Sequence, residues 1–111
     1  MEQEEIDNFR HRLEARLKDL DAEDILGAEG QKTVELDQQS VGRLSRMDAL
    51  QHQAMARATQ GRREGERKRI AAALTRMDEG EFGYCSDCGE EIPVKRLELD
   101  PTVPTCVSCA H

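Results

Sequence analysis

Cys85-Ser-Asp-Cys88 and Cys106-Val-Ser-Cys109 hold all four cysteines of a 111-residue chain, with seventeen residues between the two pairs. Thiols do two kinds of chemistry, redox exchange and metal ligation, and the spacing favours the second. A C-x-x-C turn presents two sulfurs to one ion at about 2.3 Å and leaves backbone amides free to bond the thiolates. Gly89, directly after Cys88, suits the positive φ that such a knuckle needs. Two pairs at this separation read as a zinc ribbon. Four thiolates fill a tetrahedral shell and leave no open position for water or substrate. The expected metal is therefore one structural Zn2+ on Cys85, Cys88, Cys106 and Cys109. No catalytic residue is assigned, because His11, His52 and His111 have no nucleophile to serve, and the protein is not expected to be an enzyme.

The rest of the chain must position that clip. Hydrophobic residues make up 37% and aromatics 3% of the sequence, so a large globular core is excluded. Charged residues reach 35%, which suits long solvated helices once a periodic apolar stripe is present. Structural zinc supplies folding free energy on the order of 10 kcal/mol, which offsets the thin core. The formal net charge is -7, and four thiolates with one zinc ion bring it to roughly -9. Such a chain is repelled by phosphate backbones, which disfavours direct DNA contact. The amino terminus has neither the basic nor the apolar region of a signal peptide, and no run is long enough to span a membrane. The expected location is the cytoplasm, where paired cysteines hold metal rather than form disulfides.

Ile6, Phe9, Leu13, Leu17 and Leu20 recur at intervals of three and four, which predicts a first helix over 3–26. Gly27 and Gly30 then predict a connection over 27–37. A second, long helix is expected over 38–79, ending at Gly80 as the C′ residue. At 1.5 Å per residue it would reach about 60 Å. Leu44, Met47, Gln51, Ala54, Ala58, Gly61 and Gly65 offer an a/d seam of small residues, with a kink near 59–65 and a phase shift to Ile70, Leu74 and Met77. Phe82 and Tyr84 would meet these last residues. The expected fold is mainly α, a long antiparallel helical hairpin over 1–80 joined to a C4 zinc finger over 81–111.

The run Phe82-Gly83-Tyr84-Cys85-Ser-Asp-Cys88-Gly89, with Ile92, Arg96-Leu97, Pro101 and Cys106-x-x-Cys109, resembles the signature of the DksA/TraR C4-type zinc-finger proteins. The upstream helix ending in Arg67-x-x-Ile70-Ala-Ala-Ala-Leu-Thr-Arg-Met77 is similar to the same family. The resemblance implies a coiled-coil regulator of the stringent response that binds RNA polymerase. It would insert its tip through the secondary channel and modulate promoter open complexes, in some members together with guanosine tetraphosphate.

Members often carry an acidic D-x-x-D-x-A motif at the tip. Ungapped counting from Cys85 places Gly42-Arg43-Leu44-Ser45-Arg46-Met47 there, without either acid. A shifted tip would instead use Asp37 or Asp48-Ala49. The tip candidates are thus Asp37, Ser45, Arg46, Met47, Asp48 and Ala49. Arg62 and Arg69 match positions where the family uses basic residues toward polymerase and nucleotide. Asp100 and Ala110 fall where nucleotide-responsive relatives are basic.

Two rivals follow from the residues themselves. The run 62–69 carries five basic residues, which would serve a zinc-ribbon nucleic-acid binder if they faced one way or would form a solvated helix face with ion pairs to Glu64 and Glu66. The C-x-x-C pairs would serve a thiol redox sensor, although there is no thioredoxin-like βαβ pattern.

Overall fold

The computed structural model describes the backbone of residues 1–37 and 43–110, and the side chains of 1–27 and 46–110. Among these described residues three helices follow in order: α1 (Gln3–Asp37), α2 (Arg43–Asp78) and α3 (Val94–Leu99). Among the described residues extended pairing is confined to an isolated antiparallel bridge, Tyr84 to Glu91. The fold is mainly α, two long helices that pack together and a small cysteine-bearing module. No described helix is long and apolar enough to cross a membrane.

Two compact units divide the chain, Met1–Leu17 with Arg67–His111, and Lys18–Glu66. The boundary expected at 80/81 does not separate them. The cysteine module instead shares a unit with the first turns of α1 and the last of α2. Phe9 and Phe82 rings lie 5.7 Å apart in a tilted arrangement, and Leu13, Ile70, Ala73, Met77, Ile92 and Leu97 are also buried in this unit. Arg10 pairs with Asp78 at 2.9 Å, and Arg12 donates to the Glu98 carbonyl at 2.7 Å. A zinc module of about 30 residues has too little apolar surface to bury alone, so it borrows that of the helices.

The end of α2 is set by Gly80, at φ +75°. Its amide donates to the Met77 carbonyl at 3.3 Å, and the Glu81 amide donates to Arg76 at 2.8 Å. These two bonds are a Schellman motif, and the left-handed residue it needs is cheapest as glycine.

The second unit corrects the expected connection over 27–37. Helix α1 runs through Gly27 to Asp37 instead of ending near residue 26. Helix α2 is continuous, without a break at 59–65. Residues 38–42, including Gly42 of the ungapped tip alignment, lie outside the described residues. The seam is corrected as well. Met47, Gln51, Ala54, Ala58 and Gly61 are exposed, and a Cβ at Gly61 would meet nothing within 4 Å. The covered positions include Ala49, Gln53, Ala56, Gln60 and Arg63, in the same three-and-four phase as Ile70, Ala73 and Met77 beyond them, and of the expected seam Gly65 is half-covered. No phase shift is required.

This seam is polar, which is why apolar periodicity pointed elsewhere. Arg63 donates from Nε to Asp24 at 2.5 Å and from Nη2 to Gln60 at 2.8 Å. Its side chain is 11% exposed and that of Asp24 is 23% exposed. Gly27 makes the room: a Cβ there would stand 3.0 Å from Arg63 Nη2. A helical glycine costs roughly 1 kcal/mol against alanine, and here the vacancy seats a guanidinium. Removing Arg63 leaves a half-covered carboxylate without this partner. Arg63→Ala should destabilise the protein by about 2 kcal/mol in urea unfolding followed by circular dichroism. Asp24→Leu combined with Arg63→Met should recover most of that loss.

Candidate metal centre

The first knuckle is built by backbone bonds on either side of Cys85. The Cys85 amide donates to the Glu90 carbonyl at 2.8 Å, and the Gly89 amide returns to the Cys85 carbonyl at 2.9 Å. Gly89 sits at φ +77°, the left-handed turn expected after Cys88. Gly83, at φ +92°, accepts from the Ile92 amide at 2.7 Å, which closes the short loop on itself. The second knuckle repeats the pattern, with the Cys109 and Ala110 amides donating to the Cys106 carbonyl at 3.1 Å each. Ser86 ties the two together through its amide to the Pro104 carbonyl at 2.8 Å.

The segment leading to Cys106 is held from three sides. Asp100 Oδ1 accepts from the Thr102 amide at 3.0 Å and from its hydroxyl at 2.6 Å. Arg76 donates from Nη2 to the Thr102 carbonyl at 3.4 Å. Arg96 donates from Nε to the Thr105 carbonyl at 3.1 Å. Sequence reasoning assigned none of these roles. The Asp100-Pro-Thr102 pattern of a side-chain-capped turn was a readable signal. The carbonyl partners of Arg76 and Arg96 were not readable, because main-chain acceptors carry no residue identity.

These elements bring Cys85, Cys88, Cys106 and Cys109 together, with all four sulfurs within 4.8 Å of one another. Cys88 and Cys106 sulfurs are 3.7 Å apart, beyond disulfide length. A tetrahedron with zinc–sulfur bonds of about 2.3 Å has edges of roughly 3.8 Å. The donor set and its dimensions fit zinc. Charge points the same way. The Cys85 thiol is pulled down to about 6 by the backbone amides of Cys88 and then Cys106. Cys109 is pushed up to about 12 by the sulfurs of Cys106, Cys85 and Cys88. At Cys88 the Glu90 amide acts downward, but the Cys85 and Cys106 sulfurs with burial leave the thiol raised. One thiolate therefore forms readily and resists the next, a conflict that a divalent cation removes. With all four sulfurs ligating, zinc here is structural.

The remaining candidates are dispersed. Arg46, Met47 and Asp48 are exposed in the early turns of α2, whereas Ala49 is buried and serves the seam rather than an outward surface. Asp37 is the last residue of α1 and Ser45 lies near the start of α2; both side chains lie outside the described residues. Arg62 is exposed and donates to Thr59 Oγ1 at 2.9 Å, and Arg69 is exposed. The basic run does not act as one patch. Arg63 turns inward to Asp24, and Arg67 is also engaged. Tyr84 is exposed rather than packed in the core.

The prokaryotic dksA/traR C4-type zinc finger matches residues 80–111. The RNA polymerase-binding transcription factor DksA of Haemophilus influenzae is 50% identical over 42 residues, 38% of this chain and 29% of that protein. Its namesake in Escherichia coli K12 is 43% identical over 42 residues, again 38% of this chain and 28% of that protein. The matched segment thus spans less than a third of these curated relatives. The structure of transcription factor DksA2 from Pseudomonas aeruginosa superposes with a TM-score of 0.84 at 22% identity, covering 96% of this chain and 81% of that one. That likeness is one of fold.

Protons and zinc compete for the same sulfurs. In the metal-free protein the depressed Cys85 thiol contributes stability above its ordinary value near 9, and that contribution disappears as pH falls through about 6. Each ligating thiol releases its proton to zinc, so zinc affinity also falls on acidification. Titration with a chelating dye should find one zinc per chain, retained near about pH 8 and released progressively toward about pH 5. Chelation should unfold residues 82–110 and loosen the adjoining helix ends, read as lost helical ellipticity and a lowered Tm.

Proposed function

We propose that the chain, whose residues 80–111 match the dksA/traR C4-type zinc finger, is a DksA/TraR-family transcription regulator that binds RNA polymerase. The observation that carries this reading is the joint occurrence of that finger with two long packed helices in the DksA fold. DksA proteins are transcription factors, not enzymes, and a closed four-sulfur site has no position for substrate.

In this reading the zinc anchors the helices, and the region around 37–48 enters the secondary channel to modulate open complexes. The contacts there would be Asp37, Ser45, Arg46, Met47 and Asp48. Their chemistry differs from that of two carboxylates: Arg46 is a fixed cation and Met47 an exposed, adaptable apolar side chain. Arg62 and Arg69, both exposed, would contact polymerase or guanosine tetraphosphate at the interface. Asp100 works against nucleotide synergy, because its carboxylate is committed to Thr102 and adds negative charge to the module. The site of action would be the cytoplasm.

The nucleic-acid reading loses support because the run 62–69 does not present its five charges together. The redox reading loses support because the four thiols fit a tetrahedral metal shell.

Transcription from a ribosomal RNA promoter, with and without guanosine tetraphosphate, tests the proposal alongside polymerase binding. The protein should alter promoter output, with a small nucleotide effect. Arg62→Ala with Arg69→Ala should weaken binding by about tenfold, and more at low salt than at high salt. Arg46→Ala with Asp48→Ala should retain binding while losing regulation. An intact protein that neither binds polymerase nor changes transcription in either condition would be incompatible with this function.

A further inference from the structure

We propose that Arg76 is the countercharge of the metal centre, a positioning residue whose guanidinium offsets the thiolate charge while steadying the approach to Cys106. The inference rests on the zinc assignment and is independent of polymerase binding.

An open concavity of about 310 Å³ is lined by Arg76, Glu81, Tyr84, Cys85 and Ser86, among others. Arg76 brings a half-buried positive charge to it. Among the described residues no carboxylate pairs with Arg76, and its side chain's one hydrogen bond is the 3.4 Å donation to the Thr102 carbonyl. A partly desolvated cation with so little compensation is costly unless negative charge lies close by. Zinc bound to four thiolates carries a net charge of about -2, and the buried Cys85 is among the residues that line the same concavity. That charge is the partner the guanidinium otherwise lacks.

A free anion is a poor alternative occupant. It would meet Glu81 and Cys85 at the lining, with Arg76 as the cation that the lining offers. Arg76 also reaches the centre mechanically. Its carbonyl accepts from the Glu81 and Phe82 amides at 2.8 and 3.2 Å, which fixes where the chain leaves α2 for the first knuckle. Its guanidinium grips Thr102, four positions before Cys106. One residue thus touches the approach to both cysteine pairs.

Arg76→Gln keeps a donor for Thr102 but removes the charge, whereas Arg76→Lys keeps the charge. Zinc transfer from the full chain to a chelating dye should be about 10- to 100-fold faster for Arg76→Gln and closer to wild type for Arg76→Lys. Arg62→Gln, at an exposed position on the same helix, should leave the rate unchanged. The Tm of the zinc-loaded protein should fall for Arg76→Gln, while the Tm after chelation stays at the wild-type value. Wild-type release kinetics in Arg76→Gln would overturn the proposal. So would an equal fall of both Tm values with no rescue by lysine, which would mark a packing role. A wild-type protein that takes up no zinc would overturn the metal assignment itself.

Discussion

Four sulfur atoms gathered within 4.8 Å cannot all ionise unless a cation sits among them. The cysteine module depends on that constraint. Its two knuckles are closed by a handful of backbone bonds, and its apolar content is Phe82, Ile92, Leu97 and a few smaller contacts. Without metal the sulfurs repel further charge; with metal the same crowding becomes a rigid tetrahedral joint. The joint fixes the strand-like loop and α3 against the ends of α1 and α2 by way of Phe9, Arg10 and Arg12.

The hairpin solves a different problem. A seam with few large apolar residues gains little from burial, and among the described residues of its unit Leu20 is the fully buried one. Arg63, Asp24 and Gln60 add directional bonds that an aliphatic seam lacks. Such bonds specify register: sliding one helix by a turn would separate Arg63 from Asp24 and from the space at Gly27, both on α1.

The clip and the mainly helical class were legible in the sequence because each rests on local chemistry. C-x-x-C spacing needs no knowledge of the remainder of the chain, and Gly80 marks a helix end by its own conformational freedom. The long α1 was not legible, because Gly27 and Gly30 signal a break when read alone. The reason Gly27 is tolerated lies on the other helix, at Arg63. The seam was misplaced for a related cause. Small residues at 54, 58 and 61 imitate a close-packed stripe, whereas the covered positions are filled by Gln53, Gln60 and Arg63. Those side chains count as surface residues until their partners are known. The arginines that hold the second knuckle were hidden for the same reason.

The grouping of residues 1–17 with 67–110 bears on the order in which the chain is made. Synthesis delivers the turns bearing Phe9 and Leu13 many seconds before Phe82 or any cysteine. The unit Lys18–Glu66 is contiguous, so all of its residues are out before the first cysteine. The amino-terminal turns must wait with their apolar face uncovered. Zinc capture, which needs Cys109, then joins those turns to a segment made well after them.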